Sequence, residues 1–205
     1  MARRRRRHEW ADHPELLTSI RTPWDKYQKA DWNFARYEDE VFKRPCNAEN
    51  VCFTALDFCV ALTSLRDWTR VSLARDIRAG LRQLPIGLAG LSEFDAFARQ
   101  LIPWMFAVEA IANTTKHAEY RDTGWPRGIA MPHTFVPINL KEEHDNCRDG
   151  LDLFAFMHRH KDVAWWDVAL RQQGDEEATP GYIAFGDALE GWEQVLTTLG
   201  YRPAD

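Results

Sequence analysis

The sequence predicts an all-α protein, a single-domain up-and-down bundle of five or six helices interrupted by one Gly/Pro-rich loop insertion. Three observations point there. Apolar residues recur at helical spacing through long segments. Capping and stop residues bracket those segments. Apolar residues make up 45% of a 205-residue chain, enough for one well-filled core.

The first helix opens in "TPWDKYQKADWNFARYEDEVF". Thr22 can cap it, Pro23 takes the first helical position, and Asp25 completes a capping box. Trp24, Tyr27, Phe34, Val41 and Phe42 follow near the helical period. "RPCN" breaks the chain, and Asn47 can cap the next helix. That second helix is apolar on most sides, through Val51, Cys52, Ala55, Phe58, Cys59, Leu62 and Leu65. A narrow polar line at Asn50, Asp57 and Ser64 suits the central helix of a bundle. It is expected to reach Ala79 and stop at Gly80.

"LPIGLAGL" reads as a bend, since its glycines match neither phosphate-loop motif. Ser92 with Asp95 forms a second capping-box pattern. The following helix is expected over 93–121 and kinked at Pro103. Its stripe is Phe94, Phe97, Leu101, Met105, Val108, Ala112 and Thr115. The glycines and prolines of 121–140 make a structured loop, with a short extended piece at 134–138. Helices are expected again at 149–160 and at 163–172. The last helix takes Thr179 as cap and Pro180 at its start, with Ile183, Leu189, Trp192, Leu196 and Leu199 as its stripe. Gly200 ends it.

Charge is unevenly spread. Residues 3–7 are five consecutive arginines. Setting them aside leaves 21 of the 26 basic residues against 31 acidic ones, about −10 for the remainder. Such a body is a poor general surface for nucleic acid. Residues 1–12 read as a basic, solvated, disordered tail and 13–205 as the bundle domain. No apolar stretch follows the arginines as a secretory signal requires. Four cysteines, none in a C-x-x-C pair, fit core packing in a reducing cytoplasm rather than disulfide or metal use. Asp57 and Glu109 interrupt the longest apolar runs, so no membrane span is expected.

"IANTTKH" (111–117) places polar groups at the end of an otherwise apolar helix. Glu109, Asn113, His117 and Arg121 follow at one-turn spacing on a single line, and Lys116 stands at its edge. The line is expected to leave the core face marked by Val108, Ala112 and Thr115. A polar surface near a helix C-terminus is the plain reading. The sharper reading is a site, with His117 exchanging protons near neutral pH and a neighbouring cation stabilising a phosphate.

This stretch resembles the signature turn of HEPN-like proteins, a bacterial superfamily of small helical bundles common in toxin and defence systems. The family pattern is arginine, a polar residue, three variable residues, then histidine. Here Asn113 falls on the polar position and His117 on the histidine. An "L-R-D-W"-like phrase on a preceding helix is matched by "SLRDW" (64–68). The resemblance implies a dimeric bundle in which active members are metal-independent endoribonucleases with no cofactor. His117 would act as general base toward a ribose 2′-hydroxyl. Asn113, Lys116 and Arg121 would position and steady the phosphate. Ala112 occupies the arginine position, so Lys116, Arg121 or Arg66 would have to supply the cation. Asp67 could pair with Lys116 or orient His117. The alternative is a catalytically silent bundle that binds a partner protein or nucleotide through the same face.

Other clusters carry less. His158 and His160 diverge by about 200° on a helix and cannot easily share a metal. "EEHD" (142–145) reads as a solvated turn, and no E-x-x-H pair of the di-metal bundles occurs. Trp165 and Trp166 stand side by side, so one of them can form a dimer seam or a protein-docking surface.

Overall fold

The structure, a computed structural model, describes residues 20–43, 47–85, 87–114, 128–135, 165–171 and 177–203. It is an all-α helical bundle with a small sheet against one side. The described helices are α1 (Pro23–Phe42), α2 (Ala48–Arg78), α3 (Phe94–Leu101), α4 (Met105–Thr114) and α5 (Gly181–Thr198). A 3-10 turn, Leu91–Glu93, precedes α3. The expected tail at 1–12, the expected helix at 149–160 and the "EEHD" and "MHRH" clusters lie outside the described residues.

The helix termini follow their local chemistry. Thr22 Oγ1 accepts from the Asp25 N–H at 3.2 Å, and the Asp25 carboxylate accepts from the Thr22 N–H at 2.8 Å. Asn47 Oδ1 accepts from the N–H groups of Glu49 and Asn50 at the start of α2. Gly80 and Gly200 adopt φ of 69° and 71° just past α2 and α5, where a side chain would be strained.

Contacts between helices give their directions. Asn33 on α1 donates to the Asp57 carbonyl on α2, and Lys26 donates to Ser64, so α2 returns along α1. On the other side of α1, Tyr37 packs its ring on Phe185 and Phe42 packs on Tyr182. Tyr27 donates to Glu193, so α5 is also antiparallel to α1. Phe34, Phe58 and Phe185 meet in the middle of the three helices. By length and composition α2 could cross a membrane. Its apolar positions Val51, Ala55, Phe58, Cys59, Leu62 and Leu65 are instead buried, on a helix packed against α1, α4 and the strand Trp165–Arg171.

The ends of α2 and α5 are tied together. Asp76 accepts from Tyr201 at 2.9 Å, Arg75 at 3.0 Å and Arg82 at 3.3 Å. Arg82 also donates to the Leu199 and Gly200 carbonyls and lies over the Tyr201 ring. Burial opposes ionisation of Asp76, but these partners outweigh it and hold its pKa below the ordinary range.

Several expectations are corrected. Of the helix expected over 93–121, residues 115–121 lie outside the described residues; the described part is two helices, broken at Ile102, Pro103 and Trp104, where Trp104 takes a left-handed φ of 62°. α3 turns Phe94 and Ala98 inward, Ile102 just past it is buried as well, and Leu101 is exposed. Ser92 lies inside the 3-10 turn and caps nothing, and α3 has no side-chain cap. The segment read as helix over 163–172 is a strand.

That strand, β2 (Trp165–Arg171), pairs antiparallel with β1 (Ile129–Phe135) on one side and with β3 (Thr179–Pro180) on the other. The extended piece expected at 134–138 therefore starts earlier. Pro132 sits on β1, an edge strand, where a missing N–H is tolerated. Val168, Ala169 and Leu170 are buried against α2 and α5. Thr179 and Pro180 belong to β3 and not to the first turn of α5, which starts at Gly181 without a cap from Thr179.

Candidate functional site

α2 packs along α4, and this brings the "SLRDW" phrase against the helix that carries "IANTTKH". Arg66 and Glu109, 43 positions apart, form an ion pair across the joint. Glu109 is 4% exposed, so the line expected to leave the core is buried at its first residue. The reason is local. α4 is covered nearly all round, with Met105, Ala107, Val108, Ala110 and Ala112 buried as well. A carboxylate in that setting must be paired.

Glu109 is paired twice. Its Oε1 takes Arg66 from α2. Its Oε2 takes Arg99 from α3, with Nη2 at 2.6 Å and Nε at 2.8 Å. The bend at Trp104 folds α3 back far enough for this second contact. Arg66 also donates to Asp67 Oδ1 through Nη2 at 2.9 Å and Nε at 3.2 Å. Asp95 stands 3.9 Å from Arg66 Nε and 3.6 Å from Arg70 Nη1. Burial works against the Arg66 charge, but Glu109, Asp67 and Asp95 outweigh it and raise the guanidinium pKa. Three arginines meet three carboxylates, and the network is neutral.

Of the residues singled out in the sequence, Arg66, Asp67 and Glu109 therefore come together. Asp67 serves Arg66. Asn113 lies half-exposed one turn beyond Glu109, and Ala112, at the family's arginine position, is 0% exposed. Lys116, His117 and Arg121 lie outside the described residues. Arg70, Asp95 and Arg99 were not anticipated. Asp95 and Arg99 are four apart on a short helix, a spacing that reads as a local surface pair. In the fold both turn to partners on other helices.

The exposed Phe106 on α4 flanks the network, with Arg99 over its ring, whereas Trp68 on α2 turns toward α1 and lies under Lys26. The described residues contain no group of three or more His, Cys, Asp or Glu placed to hold a metal ion. The side chains of Trp165 and Trp166 are outside the described set.

Comparison with protein-family models, with curated proteins and with solved structures finds no match to this chain.

Proposed function

We propose that this protein is a catalytically silent, HEPN-like helical bundle of a bacterial toxin or defence system that binds a partner protein through the joint of α2, α3 and α4. One observation carries the reading: of the cations named to replace the family's arginine, Arg66 is the described one, and its guanidinium is already held by Glu109 and Asp67. A phosphate would have to displace a buried carboxylate to reach it. The arginine position itself, Ala112, faces the core.

Charge and shape favour a protein over RNA. Outside the arginine run the chain carries about −10, which repels a polyanion. The exposed Phe106 under Arg99, beside a charged rim, matches the aromatic and arginine mix found at protein interfaces. The family resemblance adds a homodimer to the proposal, and the cysteine pattern a reducing cytoplasm.

The nuclease reading keeps one observation on its side. Asn113 is half-exposed and one helical turn before His117 in sequence. Binding of a labelled single-stranded RNA, followed by anisotropy at about 150 mM salt, separates the two readings. The silent reading predicts no saturable binding once residues 3–7 are changed to alanine. Saturable binding by that variant, lost on His117→Ala, would favour the nuclease.

A further inference from the structure

Charge is laid out unevenly along the bundle. The start of α1, the end of α2 and the chain beyond α5 meet at one end. Lys26 lies over the Trp68 ring there, Arg202 lies over the Trp24 ring, and Tyr201 donates to Asp76. Acids gather toward the other end. Glu38, Asp39 and Glu40 close α1, and Glu49 opens α2, where Asn50 donates to Glu40. The charge of about −10 outside the arginine run is therefore not what the first end presents.

The last turns of α2 make the surface at that end. Trp68, Val71, Arg75 and Arg78 fall on one helical line, and all four are exposed. Trp68 is two positions from both Arg66 and Arg70, about 200° around the helix, so this line faces away from the arginine network. Leu81 and Leu84 are exposed just past Gly80. Val71 at 64% and Leu81 at 75% are the most exposed large apolar side chains described. No acid is exposed between Trp68 and Leu84. Asp76 is buried, and Arg75 gives it one N–H while most of the Arg75 side chain stays in solvent. Arg78 donates to the Ala74 carbonyl. Burial, with Lys29 alongside, lowers the Lys26 pKa, which marks cations crowded together. The five arginines at 3–7 are tethered to this same end, because the chain enters α1 there.

We infer that this end of the molecule is a peripheral docking surface for an anionic lipid bilayer, with Arg75, Arg78 and the arginine run on the headgroup phosphates and Val71, Leu81 and Leu84 at the acyl boundary.

Three features select this partner. A bilayer surface accepts clustered cations without a fixed register, which suits a run of five identical ones. Exposed aliphatic side chains among the arginines gain little from a sugar–phosphate backbone, whereas the acyl boundary buries them. Charge together with apolar contact is the two-part combination that stable attachment to a membrane surface needs. α2 does not enter the bilayer, since its core face stays packed in the bundle. The acid-rich end points away from the lipid.

The test is co-sedimentation of the full chain with two kinds of vesicle at about 0.1 M salt. One is phosphatidylcholine alone, the other phosphatidylcholine with about 30% phosphatidylglycerol. Partition onto the anionic vesicles only is expected. Changing Arg75 and Arg78 together to glutamine should lower the partition coefficient about 30-fold, roughly fivefold for each cation. Leu81→Ser should weaken it several-fold without moving the melting temperature, because that side chain lies in solvent. Absence of sedimentation with the anionic vesicles overturns the inference. So does binding that withstands both changes and is lost only when residues 3–7 become alanine, because the folded surface would then take no part. Saturable binding of single-stranded RNA that the glutamine changes abolish, with no vesicle binding, would overturn it in favour of a nucleic-acid surface.

Discussion

Glu109→Ala is expected to cost the protein about 3–5 kcal/mol of folding free energy, the usual penalty for removing one partner of a buried ion pair. Two guanidinium groups lose their main acceptor at once. Arg66 is the more enclosed of the two, with 15% of its side chain exposed against 37% for Arg99. Arg66 retains Asp67, while Arg99 can turn toward solvent. At roughly 2–4 °C per kcal/mol for a domain of this size, the melting temperature should fall by about 10 °C. Replacing Glu109 and Arg66 together by leucine and methionine should recover much of the loss, because both desolvation costs then disappear. Thermal and urea unfolding of the three proteins measure this. A change below about 1 kcal/mol for Glu109→Ala would mean that the pair behaves as a solvated surface pair. The description of a closed, neutral joint would then fail.

Ala112→Arg is expected to be worse, above about 4 kcal/mol, and to lower soluble yield rather than restore RNA cleavage. The site is 0% exposed and faces the packed interior between α4 and its neighbours. An arginine there adds a long side chain to a filled core and buries a charge. Glu109, the nearest described carboxylate along α4, already accepts from two arginines. Denaturant midpoints and an RNA cleavage assay on the same preparation read both effects. A variant that kept wild-type stability and gained cleavage would show that position 112 borders an open catalytic face. The silent reading would then be wrong.

What could be read from the sequence depended on the range of the interactions involved. The ends of α1 and α2 were legible because Thr22, Asp25, Asn47 and Gly80 act within a few residues. The core of α2 was legible because its apolar residues repeat at a single period. The break between α3 and α4 was half visible. Pro103 announces a bend, but nothing local announces the left-handed Trp104 or the burial of Ile102 in place of Leu101. β2 was misread because "WWDVAL" is a short apolar run that suits a buried helix or a buried strand. Its pairing with β1, whose first pair, Phe135 with Trp165, spans 30 positions of chain, decides the matter.

The polar line of the candidate site shows the same limit. Spacing placed Glu109 and Asn113 on one helical line, as observed. It could not say that Arg66 and Arg99 would converge from two other helices and make burial of Glu109 tolerable. The "SLRDW" phrase was singled out for its resemblance, and the packing of α2 on α4 gives it a physical role as the source of that cation.

The most direct test of the central claim, that the joint is closed to catalysis, is an incubation of total cellular RNA and purified tRNA with the protein in the presence of EDTA, beside His117→Ala. The account predicts intact RNA in both reactions. Cleavage that persists in EDTA and is abolished by His117→Ala would contradict it and make His117 the general base of a metal-independent nuclease.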